Sequence, residues 1–532
     1  MALTTRRLAF LILFLGLFAM AMKPSVDTDS FWHLRAGAWM LDNARLLTID
    51  LFSYTRFNQA WINHSWLSQI LMAIIYRVGG YGGLNLATAF VIVLAFVFVY
   101  RAGEGGQYLR AFIIILAATT SAVYWSARPQ ILSLLFTSIF VYVLYDYLWH
   151  DANRLWLLPP LMLLWVNLHG GFAIGFIVLV IAFVGELLRT SLRGAFFATK
   201  QSQSVTEIAS QRTLAMTVWS HAVSPVRFVL LGMTNSKARW IGAIGLACAI
   251  AACINPYGAQ MLFYPFRTVS IGVLQNFIQE WQSPNFHQPE AQVFIVMLLA
   301  TVAAIGFSRR RLDLTDFLLF AAFTALSLLA WRNVAAFAVV VAPILMRYAN
   351  SAIEELQEKY PKLNLQNPSG LTHSVSLRGA PRDPKGLWVN WAIVLIIAFA
   401  VMIKTTDTMS AKTNDEAIAK LAPVKAAEYL KASPVSGKMF NAYNFGGYLI
   451  WALYPDQLVY VDGRTDLYDD ELLKEYLNTA LTGDGWERTL KDRDVRVVLV
   501  ETASPLARAL AASPAWSVRY QDPLASVIVK NQ

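Results

Sequence analysis

Apolar runs of roughly 18 residues recur along this chain, and that is the length a helix needs to cross ~30 Å of hydrocarbon. Lipid offers backbone groups no partners, so each run that crosses must close its own hydrogen bonds as a helix. Spans are predicted at 7–22, 84–100, 111–126, 131–149, 155–168, 172–188, 240–257, 291–307, 313–331, 333–348 and 387–404. The expected class is a polytopic α-helical membrane protein with about eleven transmembrane helices. Charged residues make up only 15% of the 532, too few for a soluble chain of this size.

The net charge of +10 does not point to nucleic acid, because Lys and Arg sit in short connections between spans. One set of connections is rich in them: Arg6 and Arg7, Arg101 and Arg110, Arg154, the run from Arg189 to Arg239, Arg309–Arg311, and Arg347 through Lys385. The alternate set is poor, holding Arg128, Arg267 and Arg332 singly. By the positive-inside bias the rich set is cytoplasmic. The N-terminus is then cytoplasmic and everything after Lys404 extracytoplasmic; the expected location is a bacterial inner membrane. Arg6-Arg7, the run Leu8–Met22 and Ala19-Met20-Ala21 imitate a cleavable signal; the reading is a retained first span. Cys248 and Cys253 share one apolar span and read as small buried hydrophobes, with no disulfide or zinc site.

Within a membrane module of residues 1–407, three segments are not spans. Residues 23–83 form a long first outer loop with two amphipathic stretches, 30–42 and 64–78, expected to lie along the membrane surface. Residues 189–239 read as a basic cytoplasmic insertion and 349–386 as a cytoplasmic linker. From 408 to 532 the composition becomes that of a soluble domain. Strands are expected at Gln457–Val461, Val495–Val500, Ser517–Tyr520 and Ala525–Val529, helices at 414–432 and 469–480. A small α/β domain of this length can bury a core of its own.

The charge-derived orientation puts the polar motifs on one side. Asp27-Thr28-Asp29, Ser126-Ala127-Arg128-Pro129-Gln130, Asn167-Leu168-His169-Gly170-Gly171, Asn255-Pro256-Tyr257-Gly258 and Trp331-Arg332-Asn333 all fall in outer connections. Ionisable groups at membrane depth are costly and mark sites. Paired carboxylates such as Asp27 and Asp29 can hold a divalent cation, or one can act as general base while the other orients it. Two solvated acids at a helix end are the plainer reading. His33 follows Asp29 by four residues and shares its face on a helix, while His64 opens the second amphipathic stretch. His169 with Asn167 ends a helix, either as a satisfied cap or as a ligand contact. Arg128 and Arg332 are either snorkelling anchors or a phosphate clamp. Asp462 and Arg464, after a strand in Val461–Tyr468, either stabilise a turn or present an edge to an acceptor.

This layout resembles the GT-C superfamily of integral-membrane glycosyltransferases. The likeness rests on the acidic motif after the first span, the long outer loop with two surface ("jaw") helices, the many spans and the extracytoplasmic C-terminal domain. DTDSFWHLRAG followed by INHSWLSQIL is similar to the first-loop pattern of bacterial mannosyl- and arabinosyltransferase-like members, whereas NFGGYLIW and VDGRTDLY name no substrate. The resemblance implies a sugar donor on polyprenyl phosphate, a glycan, lipid or protein acceptor, and membrane lipid as surroundings. It implies Asp27 or Asp29 as general base or metal ligand, with Mg or Mn needed in some members. Arg128, Arg332, His33, His64, Asn167, His169, Asp462 and Arg464 are the candidate substrate contacts. A transporter or flippase for a lipid or polar solute would show inverted repeats and polar groups at the midplane. Here the polar motifs stand at helix ends. A non-catalytic scaffold with a degenerate fold is the third class.

Overall fold

The computed structural model describes residues 3, 5–202, 236–360 and 384–531. Most of the 189–239 insertion and of the 349–386 linker therefore lies outside the described residues. The rest is an apolar helix bundle joined to a C-terminal sheet.

Every predicted span is helical. α1 is Thr5–Ala21, α2 Thr28–Asn43, α3 Trp66–Ala102, α4 Gln107–Ser121, α5 Gln130–Trp149, α6 Leu158–Leu168, α7 Ala173–Ser202 and α8 Ser236–Ala252. They are followed by α9 Gln260–Val269, α10 Gly272–Phe277, α11 Pro289–Phe307, α12 Leu314–Leu329, α13 Val334–Lys359 and α14 Pro384–Met409. Among the described residues, seven helices are long and apolar enough to cross a membrane. The apolar stretches in α1, α6 and α12 are shorter, and α8 falls in neither group, so among the described residues seven of the eleven expected crossings have the length and hydropathy of a span. The chain is a multi-pass membrane protein.

Two departures have local causes. The second amphipathic stretch is continuous with the next span as α3, broken only at Gly80, where φ is 58° and ψ −155°. That left-handed conformation suits a residue without a β-carbon and divides a helix along the first loop from the apolar crossing. Residues 349–359, expected in a linker, extend α13 instead.

α13 is the axis of the bundle. Every residue from Val334 to Tyr348 is buried, and a helix that is apolar all round belongs inside. α14 packs against α1 and is otherwise mostly exposed, so it is a lipid-facing helix at the periphery. Where α12 begins, buried Asp316 accepts from Arg347 at 2.9 Å, from Tyr145 at 2.8 Å and from Tyr348 at 3.1 Å. α12 then runs about 24 Å at 1.5 Å per residue to the Trp331–Asn333 turn, which places that turn at the other end of the bundle.

The C-terminal region contains α15 Ala411–Ala419, α16 Val424–Ala432, α17 Tyr443–Leu453, α18 Asp470–Ala480, α19 Trp486–Asp492 and α20 Pro505–Ala511. Its strands are β1 Lys438–Asn441, β2 Val495–Glu501, β3 Trp516–Gln521 and β4 Ala525–Lys530. The sheet order is β1-β2-β4-β3, with β1 parallel to β2 and the other pairs antiparallel. The expected single helix over 414–432 is two, because Pro423 lacks an N–H and disfavours helix in the residue before it. The expected strand at 457–461 is absent. Val459, Tyr460 and Val461 are all buried, but their backbone bonds go elsewhere. Tyr460 N donates to Asn441 Oδ1 at 2.7 Å, Asn441 Nδ2 donates to Val461 O at 2.8 Å, and Val459 bridges Ser53 of the first loop.

That bridge belongs to a larger union. The core of the C-terminal region includes Trp32, Met40, Leu47, Phe52 and Trp61 from residues 23–65 together with Phe440, Leu449, Val461 and Val498. The expected self-contained core is thus shared with the first loop. A buried ion pair crosses the same junction: Arg464 meets Asp50 and Asp462 at 2.7 Å each, and all three side chains are 0% exposed.

Candidate active site

Asp27 is the N-cap of α2. Its Oδ1 accepts from the backbone N–H of Asp29 at 3.0 Å, the hydrogen bond for which an N-cap carboxylate is favoured. Asp29 lies in the first turn, where a negative charge is stabilised by the positive end of the helix dipole. The Ser126–Gln130 turn packs onto this end of α2: Ser30 Oγ donates to Ala127 O at 2.8 Å, and Ala127 N donates to Ser25 O at 3.1 Å. Arg128 is thereby delivered to the acid pair. Its Nη1 is 3.1 Å from Asp27 Oδ2, and its Nη2 is 3.0 Å from Asp29 Oδ2.

Glu280, from the loop before α11, extends the cluster. Its carboxylate is 3.7 Å from Arg128 and 3.6 Å from Arg332. The Arg332 guanidinium lies 4.3 Å above the Trp281 ring. Burial pushes the Asp29 carboxyl up, Arg128 draws it back, and Asp27 and Glu280 push it up again, leaving it at about 6. Glu280 also feels burial, but Arg128 and Arg332 outweigh it and hold the group below the usual carboxylate range. Three neighbouring carboxylates likewise override the burial of Arg128 and keep it protonated.

A cavity of about 700 Å³ opens over this cluster. Asp29, His33, His64, Arg128, His169 and Arg332, six residues from four separate parts of the sequence, line it. Asp27 is not on the wall; it touches Arg128 and caps α2. His33 is buried, its ring tilted against that of Trp32 with centroids 3.5 Å apart, and its Nδ1 is 3.2 Å from Gln69 Nε2. His64 bonds the Tyr264 hydroxyl at 2.7 Å, and His169 bonds Ser133 Oγ at 2.7 Å. Burial holds all three imidazoles below their ordinary value, so they are neutral at pH 7.

Three candidates lie away from the cavity. Asn167 accepts from Trp66 Nε1 at 3.1 Å and donates to Leu163 O and Ile254 O; it ties α3, α6 and the end of α8 together. Asp462 and Arg464 are consumed by the buried network described above, in which Asp462 also accepts from Tyr468 at 2.6 Å. The edge expected to meet an acceptor is instead an internal strut. What reaches the cavity from that string is Gly463, Thr465 and Asp466. Sequence reasoning missed Glu280, Tyr264 and Asp466. Glu280 is a lone acid in a loop, and only the placement of Asp466 beside the VDGR turn could have singled it out.

A divalent cation finds no ready donor set. Among the described residues no three His, Cys, Asp or Glu side chains converge on a point. Asp27 and Asp29 each direct an oxygen at Arg128, whose guanidinium stands where a cation would.

No family model and no curated protein matches the sequence. Solved structures do match. An Archaeoglobus fulgidus oligosaccharyltransferase in its apo form aligns with TM-score 0.52 and 13% identity, over 92% of this chain and 69% of that one. The oligosaccharyltransferase AglB of that organism, in complex with an inhibitory peptide and a dolichol-phosphate, aligns with TM-score 0.51 and 12% identity over the same shares. The form tethered to an acceptor peptide gives 0.51 and 12%, over 94% and 69%. At these identities the likeness is one of fold.

Proposed function

We propose that this chain, which has the fold of the GT-C superfamily, is a membrane glycosyltransferase moving a sugar from a polyprenyl-phosphate donor to an acceptor hydroxyl. The observation that carries this reading is the meeting of a basic carboxylate and two guanidinium groups in one cavity. The matched oligosaccharyltransferase was solved with dolichol-phosphate, a lipid phosphate of the same chemical kind. The orientation drawn from charge puts the cavity on the extracytoplasmic side, at headgroup height.

The roles follow from position. Asp29 accepts the proton of the acceptor hydroxyl as its oxygen attacks the anomeric carbon. A base whose conjugate acid titrates near 6 is a better proton acceptor than an ordinary surface aspartate and is still ionised at pH 7. As the bond from the anomeric carbon to the phosphate oxygen breaks, its electron pair leaves with the polyprenyl phosphate. Arg332, on the cavity wall and held by a single 3.6 Å contact to Glu280 and by Trp281, neutralises the charge developing there. Arg128 is already shared between Asp27 and Asp29, so its part is to hold the base in place and ionised. Asp27 positions both.

The test is transfer of a labelled sugar from polyprenyl phosphate in purified membranes, with Asp27→Asn and Asp29→Asn made singly. Loss of general-base catalysis in Asp29→Asn lowers the rate by about 10²–10⁴-fold, and Asp27→Asn lowers it less. Full activity in Asp29→Asn removes the mechanism. A wild type that transfers no sugar from any such donor removes the glycosyltransferase reading.

A further inference from the structure

We infer that Glu280 is a resident counter-ion in the place of the donor's phosphate, and that a polyprenyl phosphate enters by exchanging with it on Arg332. The inference deepens the glycosyltransferase reading and rests on its assignment of Arg332 to the phosphate.

The starting observation is how little holds Arg332. Among the described residues its guanidinium makes no hydrogen bond, although the group carries five N–H donors. Its nitrogens are unpaired yet not sealed in, so the fork opens into the cavity. Two neighbours meet it: Glu280 Oε1, 3.6 Å from Nη1, and the face of Trp281, 4.3 Å away.

Glu280 is held as loosely. Its other oxygen is 3.7 Å from Arg128 Nη1, and among the described residues its carboxylate accepts no hydrogen bond. Charge-assisted hydrogen bonds close to about 2.7–2.9 Å. The buried ion pairs that act as struts in this chain do so: Arg464 meets Asp50 at 2.7 Å, and Arg347 meets Asp316 at 2.9 Å. Glu280 instead spans two guanidiniums without closing on either, and its side chain is 31% exposed, which leaves it room to turn. It balances charge and fastens nothing.

The fork stays in place when that side chain turns away. Trp281 carries the guanidinium on its ring, and Trp331 N donates to Gln282 O at 2.9 Å, tying the Glu280 turn to the Arg332 turn through backbone. What is exchanged is one anion for another. Asp27, Asp29 and Glu280 set three carboxylates against two guanidiniums, so a phosphate added with Glu280 in contact would be a fourth anion. Like charges placed together disfavour the wrong ligand. A phosphate that displaces Glu280 leaves the count at the cluster unchanged and gives the fork oxygens it can bond in pairs. Glu280 is then a specificity-determining residue. Inorganic phosphate brings too few contacts to displace it, whereas a donor also brings a sugar and an isoprenoid chain.

The experiment is calorimetric titration of the full chain in phosphatidylcholine nanodiscs at pH 7.5, with heats from empty discs subtracted. The probes are a short-chain prenyl phosphate and inorganic phosphate. Glu280→Gln, of the same shape without the charge, should bind prenyl phosphate about tenfold tighter than the wild type and should take up inorganic phosphate, which the wild type should not. Glu280→Ala removes the charge by a second route and should show the same gain. Adding Arg332→Ala to Glu280→Gln should abolish it. Prenyl phosphate binding that is unchanged or weaker in both Glu280 variants overturns the inference, and so does a gain that survives the loss of Arg332. Wild-type protein that binds inorganic phosphate as tightly as prenyl phosphate overturns it as well. These readouts need no sugar transfer. The exchange can fail while Asp29→Asn still abolishes transfer, or stand while the wild type transfers no sugar.

Discussion

Gly463 lies so close to the Asp29 carboxylate that a β-carbon at that position would stand 1.8 Å from Oδ1. The tip of the VDGR turn is thus pressed against the proposed base, and the turn is itself locked by the Arg464–Asp462–Asp50 network. The position of the proposed base is thus set by a residue more than four hundred positions away in the chain.

Gly463→Ala should displace Asp29 from Arg128. A 1 Å misplacement of a reacting group costs about 10²-fold in rate, so transfer should fall by that order while donor binding changes little. Steady-state kinetics separate the two; unchanged turnover would mean the carboxylate is free to move without consequence.

The Arg464 network bears on stability. Arg464→Met leaves Asp50 and Asp462 buried without their partner, and breaking a buried pair in this way costs about 3–5 kcal/mol. Thermal unfolding in detergent should shift downward by many degrees, with the first loop and the C-terminal region loosening together because they share one core.

Arg332→Ala removes the cation assigned to the leaving phosphate. Turnover should fall by about 10²–10³-fold, the scale seen when one stabilising donor is lost. Arg332→Lys should recover only part of it, since an ammonium lacks the planar fork and stacks less well on Trp281. Full activity in the alanine variant would reassign the phosphate to another group.

Arg128→Ala tests the electrostatics of the base. Arg128 lowers the Asp29 carboxyl against the upward push of burial, so its loss should raise that value further. The acid limb of the pH–rate profile should move to higher pH. A limb that stays in place would show that Arg128 does not govern Asp29.

Much of this was legible in the sequence, and the unread parts have physical reasons. The spans announce themselves because lipid admits little besides long apolar helices, and all eleven segments are helical. The motif Asp27-Thr28-Asp29 with Arg128 was readable as a cluster because both fall in connections assigned by charge to one side. Asn167, Asp462 and Arg464 carry the same residue types as a site but are turned inward, and no one-dimensional pattern distinguishes a buried strut from a ligand contact. The shared core was hidden for a related reason. Trp32, Phe52 and Trp61 look like parts of amphipathic loop segments until the C-terminal region is folded onto them. The run 457–461 reads as a strand, and only the Asn441 side chain, by taking its backbone bonds, shows why it is not.

The raised carboxyl of Asp29 gives the proposed mechanism its sharpest test. Between about 4 and 6 the folded protein holds a proton on Asp29 that the unfolded chain has released, so ionising it in this window lowers stability while creating the base. The pH dependence of single-turnover sugar transfer by the wild-type protein should therefore show an acid limb with an apparent pKa near 6, and Asp29→Asn should retain no such limb. A wild-type rate that is flat from pH 5 to 8, or an undiminished limb in the asparagine variant, would contradict the assignment of Asp29 as the base.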